Sequence, residues 1–357
     1  MRILFGPSND HRQTPDPAPS GAYEWWYFDA LSEDRRFAVV AIFFLGSPMT
    51  PYYKAAVDGK NPDPIDWCGV FFTLHENIRG KWKERAYAYN LYHGGEFHAD
   101  RPHVTVGDSH MTYDGVGTWT VSLHERGLWR TNVRAELRFT MPTASAALPS
   151  DNKAGREAEH AWICVAPVCA FEGQVQVNAQ SVSFNGAGYH DHNFGRVPLG
   201  DVAAWYWARA ELRCSDGAVR TAILYYLASN SGPKPEVTAL IFDAEGNGVS
   251  FSDTVRGTES SPTTNAYGLM HPTVVTAESE QSSPNIALHA VFSAPNGAFS
   301  EGPFYRRLPV ELTASAEPKW TGVGTGIGEV FVPPRLCGPI ASRAMWSRMR
   351  RRSIRRP

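Results

Sequence analysis

Cysteine is sparse in this 357-residue chain and follows no pattern. The five cysteines, Cys68, Cys164, Cys169, Cys214 and Cys337, are odd in number and form no C-x-x-C, which argues against a zinc ribbon and a disulfide framework. They read as small buried hydrophobes in a reducing compartment. Long apolar runs are also missing. The longest, FAVVAIFFLG (Phe37–Gly46), is about half a membrane span, and its β-branched and aromatic content marks a buried strand. The apolar part of the N-terminal MRILFGPSND is too short for a secretory leader. No G-x-S-x-G elbow and no P-loop occur. The glycine-rich TGVGTGIGE (Thr321–Glu329) fails G-x-G-x-x-G, lacks a surrounding βαβ unit and reads as turn and strand-edge backbone. Convincing helical periodicity is absent before the C-terminal tail, and no short repeat is present.

What the chain has is apolar and aromatic residues in strand-like spacing. It is 43% apolar and 12% aromatic, enough for substantial cores, and its length suggests two domains. Segments such as YEWWYFDAL, RFAVVAIFFL, TWTVSLHE, AWYWARAEL and VRTAILYYLA follow one another with turn residues between them, the pattern of β-sandwiches or barrels. MPTASAALPSDNKAGREAEH (Met141–His160) reads as a long loop, and GTESSPTTNAYG (Gly257–Gly268) as a second. FNGAG (Phe184–Gly188) reads as a turn and sets the domain boundary near Gly186. The formal net charge is -2, but seven arginines fall in the last fifteen residues, leaving the body near -9. An acidic body excludes general nucleic-acid binding, while the tail suits an anionic membrane surface.

The densest polar chemistry lies in GYHDHNFGR (Gly188–Arg196). On a strand, His190 and His192 share one face, a two-ligand metal arrangement for which no third ligand is identifiable nearby. Tyr189, Asp191 and Asn193 share the other. If that face lines an apolar cavity, desolvation keeps the Asp191 acid protonated near neutral pH, ready to protonate a weak base. A purely structural polar cluster is the alternative. HAW offers His160 and Trp162 on one side of a strand, an imidazole beside a broad ring whose face attracts a cation by roughly 0.5–2 kcal/mol. In YEWWYFDA (Tyr23–Ala30), Tyr23, Trp25 and Tyr27 face one way and Glu24, Trp26 and Phe28 the other; a buried Glu24 needs a partner. Trp205 and Trp207 repeat the aromatic pattern. These rings fill a barrel or line a cavity for a large, flat or polyunsaturated ligand.

EWWYFDAL, HAW followed by AP, and GYHDHNFG, in that order, resemble the carotenoid 1,2-hydratase (hydroxyneurosporene synthase) family, related to AttH-like and other lipocalin-like proteins. The resemblance spans roughly Gly21 to Pro334. It implies an all-β fold of two consecutive lipocalin-like antiparallel β-barrel domains, which the boundary near Gly186 places at residues 1–185 and 186–342; the short basic helix or tail over 343–357 is a departure from the family pattern. It implies a ligand tunnel and cofactor-independent, metal-free hydration of the terminal C1=C2 bond of acyclic carotenoids such as neurosporene and lycopene. The family's acid is matched by Asp191 with Tyr189, and its supporting residues by His160 and Trp162. The substrate is expected to meet Glu24, Trp25, Trp26, Trp205, Trp207, His190, His192 and Asn193. The expected location is the cytoplasm, peripheral to an inner photosynthetic membrane through the arginine-rich tail. Two rivals stay open: a pericyclase or isoprenoid cyclase on the same fold, and a non-catalytic carrier of apolar ligands.

Overall fold

The computed structural model describes residues 1–100, 103–128, 131–143, 146–149, 160–199, 201–232, 234–250, 255–279, 285–293, 297–317 and 319–351. They form two curled half-barrel sheets. The first has thirteen strands among the described residues. From one edge it runs through Lys81–Leu91, Gly69–Ile78, Phe37–Leu45, Tyr23–Ser32, Gln180–Gly195, His160–Val177, Asn132–Thr140 and Thr118–Arg126 to a short meander ending in Phe97–Asp100. The second has ten, with Val202–Cys214 and Trp320–Phe331 paired at its centre.

Three apolar cores follow from strand parity. Asn132–Thr140 alternates strictly, and Val133, Ala135, Leu137 and Phe139 turn into the hollow of the first sheet. Phe37–Leu45 is buried at all nine positions because both its faces are covered. Val39, Ala41 and Phe43 enter that hollow, whereas Val40, Ile42 and Phe44 enter a core between the sheets. The second sheet wraps its own core around Ala208, Leu224, Leu288 and Leu312. The aromatic faces singled out in the sequence, Tyr23/Trp25/Tyr27 and Trp205/Trp207, therefore do not fill a barrel; they meet between the two sheets. A buried ion pair, Asp29 with Arg209, crosses the same junction.

Three sequence expectations change. FNGAG is no turn: Gln180–Gly195 runs unbroken through Gly186, and the chain leaves the first sheet only after Gly195, not at the expected 185/186 division. Gly186 serves close approach, since a Cβ there meets the Leu31 carbonyl oxygen at 2.0 Å. Most of GTESSPTTNAYG is the edge strand Val255–Thr264, whose polar composition reflects exposure rather than a loop. TGVGTGIGE is a central strand, where a Cβ on Gly326 meets the Arg209 carbonyl oxygen at 1.7 Å. Of the expected Met141–His160 loop, residues 144–145 and 150–159 lie outside the described residues. All five cysteines are free thiols, four of them buried.

The C-terminal helix Pro339–Arg348 lies against the junction. Its Met345, with Met349 after it, is buried in the inter-sheet core, and Arg350–Arg351 then pairs in parallel with Asn90–Leu91. Residues 352–357 of the expected tail lie outside the described residues.

Candidate active site

The strand Gln180–Gly195 lies between Tyr23–Ser32 and His160–Val177, with Asp191 opposite Tyr27 on one side and Cys164 on the other. Strand parity sends Tyr189, Asp191 and Asn193 toward the second sheet. Asp191 is buried and accepts three hydrogen bonds: Trp162 Nε1 to Oδ2 at 3.0 Å, Tyr189 OH to Oδ2 at 2.9 Å, and Asn193 Nδ2 to Oδ1 at 2.9 Å. Burial raises its pKa to about 8, against the Trp162 and Tyr189 hydrogen bonds that favour the ionised form. Nearby Glu329 and Asp29 push the same way as burial. The carboxyl thus keeps its proton at neutral pH. Both lone pairs of Oδ2 are engaged, so Oδ1 is the oxygen that carries it.

His160 stands further along the neighbouring strand, level with Gly195 and beyond Trp162. Its Nδ1 pairs with Tyr23 OH at 2.7 Å and its Nε2 with Tyr225 OH at 2.8 Å. Burial lowers its pKa to about 3, so the ring is neutral and fully engaged. It reaches Asp191 only through rings: Tyr225 packs on Trp162 at 4.7 Å between centroids.

A cavity of about 20 Å³ opens beside Asp191, lined also by Trp25, Tyr27, Asn193, Trp205, Trp207, Tyr225 and Glu329. Glu329 follows the glycine-rich stretch on Trp320–Phe331 and sits opposite Trp207. Its Oε1 accepts from Arg307 Nε at 2.9 Å and from Tyr305 OH at 2.8 Å. Tyr305 and Arg307 also border a larger apolar cavity of about 160 Å³ beneath the C-terminal helix, with Ile42, Phe71, Tyr89, Met345 and Met349 in its walls. The Tyr305–Arg307–Glu329 cluster therefore stands between the two spaces.

The profile of a family described as carotenoid hydratase CrtC matches residues 41–356. The chain belongs to the CrtC carotenoid hydratase family. Hydroxyneurosporene dehydrogenase of Chlorobaculum tepidum is 26% identical over 360 residues, covering 91% of this chain and 85% of the relative. Acyclic carotenoid 1,2-hydratase of Thiocapsa roseopersicina is 30% identical over 243 residues, covering 68% of this chain. The match spans 55% of that relative, about half its length. Kievitone hydratase from Nectria haematococca shares the fold, with a TM-score of 0.53 at 10% identity over 92% of this chain and 95% of its own.

Within this family frame, Asp191, Tyr189 and Trp162 are hydrogen-bonded together, and Trp25, Trp205, Trp207 and Asn193 line the adjoining cavity. Glu24, Trp26, His190 and His192, expected at the substrate, are buried on the opposite face of the same strands, in or against the hollow of the first sheet. There the two histidines meet carboxylates instead of forming an open ligand pair. His190 Nε2 is 2.9 Å from Asp10 Oδ2, and His192 Nε2 is 2.7 Å from Glu24 Oε1. Burial opposes charge on His192, but Asp10 and Glu24 outweigh it and raise its pKa to about 9. Glu24 also accepts from the Gln13 and Thr14 amides at 2.6 and 3.0 Å. This network clips the N-terminal segment to the back of the Asp191 strand. Tyr27, read in the sequence only as part of the Tyr23/Trp25 aromatic face, also lines the cavity; Tyr225 and Glu329 were not foreseen there, and Glu329 is the lone acid of an apolar, glycine-rich strand.

Proposed function

We propose that this protein adds water across the terminal C1=C2 double bond of an acyclic carotenoid of the neurosporene or lycopene type, giving the 1-hydroxy product. The observation that carries this reading is the Asp191 carboxyl, held neutral by burial beside ring faces at the junction of two sheets. An alkene is a very weak base, and a desolvated neutral acid is what its protonation requires. Membership of a carotenoid hydratase family supports the substrate class.

The Asp191 Oδ1 proton passes to C2, the π electrons form the new C–H bond, and a tertiary cation develops at C1. The rings of Trp25, Trp205, Trp207 and Tyr225, which line the cavity beside Asp191, stand next to this charge, and a ring whose face meets it contributes roughly 0.5–2 kcal/mol. Trp162 and Tyr189 then stabilise the Asp191 carboxylate left behind through the hydrogen bonds they already make. Water adds at C1 and loses a proton. The acid supplies about 10²–10⁴-fold of the acceleration and the ring cage the remainder.

Carotenoids reside in membranes. Exposed Ile340 and Trp346, with Arg343 and Arg351 near them, favour a peripheral cytoplasmic placement against an anionic inner membrane.

The test is expression in a host that makes only lycopene or neurosporene, followed by mass analysis of extracted pigment. Gain of one water, lost in Asp191→Asn, is expected. Isomerisation at constant mass identifies a cyclase or pericyclase instead; unchanged pigment bound to the protein identifies a carrier.

A further inference from the structure

Hydration needs a second reactant besides the alkene. The cavity beside Asp191 measures about 20 Å³. One water requires roughly 10–15 Å³ and two to four polar partners. Three buried polar atoms of residues lining this cavity have no hydrogen-bond partner among the described residues: Nε1 of Trp205, Nε1 of Trp207 and Oδ1 of Asn193. Glu329 adds a further acceptor, at an atom that is not among the fully buried ones. All its hydrogen bonds, from Arg307 Nε and Nη2 and from Tyr305 OH, fall on Oε1, which leaves Oε2 with none among the described residues. Two donors and two acceptors on the residues lining a space of that size match the hydrogen bonds that a single water molecule makes.

We propose that this cavity seats the nucleophilic water and that Glu329 is the catalytic base that receives its proton. The inference rests on the hydration reading and assigns its second half. His160 is poorly suited to the role, because both its ring nitrogens are bonded to tyrosine hydroxyls. Asn193 links the two halves of the reaction: its Nδ2 donates to Asp191 Oδ1, and its Oδ1 is left for the water. Acid and nucleophile are thereby held side by side before the alkene arrives.

The steps balance. Asp191 gives a proton to C2 and becomes a carboxylate, and C1 becomes cationic. The water oxygen forms the C1–O bond as one of its O–H bonds breaks, and that proton goes to Glu329 Oε2. Return of the proton from Glu329 to Asp191 resets the site, so alkene and water are consumed and one alcohol is made. Arg307 and Tyr305 fix the Glu329 carboxylate for this purpose and are positioning residues.

The test separates protonation from water capture. The full-length protein is incubated with lycopene in D₂O, and two products are followed: the 1-hydroxy carotenoid and deuterium appearing in recovered alkene. In Glu329→Gln the acid still acts but the cation is not captured. Alcohol is expected to fall by about 10²–10⁴-fold, while deuterium wash-in is retained or increased as the cation reverts to alkene. Trp207→Phe keeps the ring and removes one donor to the water, and is expected to shift the same ratio by about tenfold, the effect of one hydrogen bond. This second variant decides the question if Glu329→Gln fails to fold with Arg307 left unpaired. Unchanged alcohol formation in either folded variant overturns the assignment, as does an equal loss of alcohol and wash-in. A wild-type protein that neither hydrates nor exchanges lycopene and neurosporene refutes the hydration reading itself, a result distinct from the failure of Glu329.

Discussion

Tyr189 donates its phenol proton to Asp191 Oδ2 at 2.9 Å, two residues along the same strand, and Trp162 reaches the same oxygen from the neighbouring strand. The carboxyl is thus oriented by groups that favour its anion while burial favours its neutral form. An acid in that balance holds its proton firmly in the resting state and is stabilised once it has given the proton away.

Removing one donor tilts the balance in a measurable direction. Tyr189→Phe deletes a hydrogen bond that favours the Asp191 anion, so the pKa of Asp191 rises further above about 8. The alkaline limb of the pH–rate profile, where activity falls as the acid ionises, should move to higher pH. The rate below that limb should drop by about tenfold or more, for one hydrogen bond of about 1.4 kcal/mol lost from the developing carboxylate. A residue that only packed there would lower the rate without moving the limb.

The same raised pKa predicts a cost in stability. Between the ordinary carboxyl value of 3.8 and about 8, the native state keeps a proton that the unfolded chain releases. Stability therefore falls as pH rises through that window and levels off above it. Asp191→Asn carries no such proton. Its stability relative to wild type, from denaturant titrations at pH 4, 6 and 8, should increase steadily with pH, while hydration is abolished. A constant difference across the series would contradict the raised pKa.

The Asp29–Arg209 pair joins the two sheets in a buried setting, and Tyr27 OH adds a 2.8 Å hydrogen bond to Asp29. Arg209→Met leaves a carboxylate unpaired in the junction and should destabilise by about 3–5 kcal/mol. Combining it with Asp29→Leu should recover most of that loss, because two apolar groups replace two charges. Urea unfolding of the three variants measures both effects.

The C-terminal helix divides its apolar residues between two tasks. Met345 is buried in the inter-sheet core, whereas Trp346 is 43% exposed and packs at a tilt against Trp67, 6.3 Å between centroids. Met345→Ala should lower unfolding stability by about 2–5 kcal/mol, the range for a truncated core side chain. Trp346→Ala with Ile340→Ala should leave stability within about 0.5 kcal/mol and weaken binding to vesicles rich in anionic lipid. Equal vesicle binding would remove the membrane role of this helix. The helix also walls the larger apolar cavity.

The site was legible where parity alone decides. Tyr189, Asp191 and Asn193 alternate with His190 and His192, and a strand must send the two sets to opposite sides. Which of the two sides faces the second sheet was not legible. Glu24, Trp26, His190 and His192 carry the same polar and aromatic character as the residues of the cavity, yet Glu24 meets Thr14, both histidines meet Asp10 and Trp26 stacks on His192, all in or beside the first hollow. Glu329 lies 138 positions beyond Asp191 in the chain and comes beside it only because the second sheet folds across the first. FNGAG looked like a turn because two of its glycines resemble punctuation; in the sheet they make room for neighbouring backbone and rings.

The sequence by itself determined an all-β chain with short connections, a polar triplet on one face of a strand, and aromatic strands to face it, because side-chain alternation is a local property of extended backbone. The tertiary structure alone decided that these faces meet between two sheets rather than inside a barrel. It also decided that Asp191 is dry enough to keep its proton and that Glu329 completes the cavity. Burial and proximity across more than a hundred residues are set by how the sheets pack, and no local pattern encodes them.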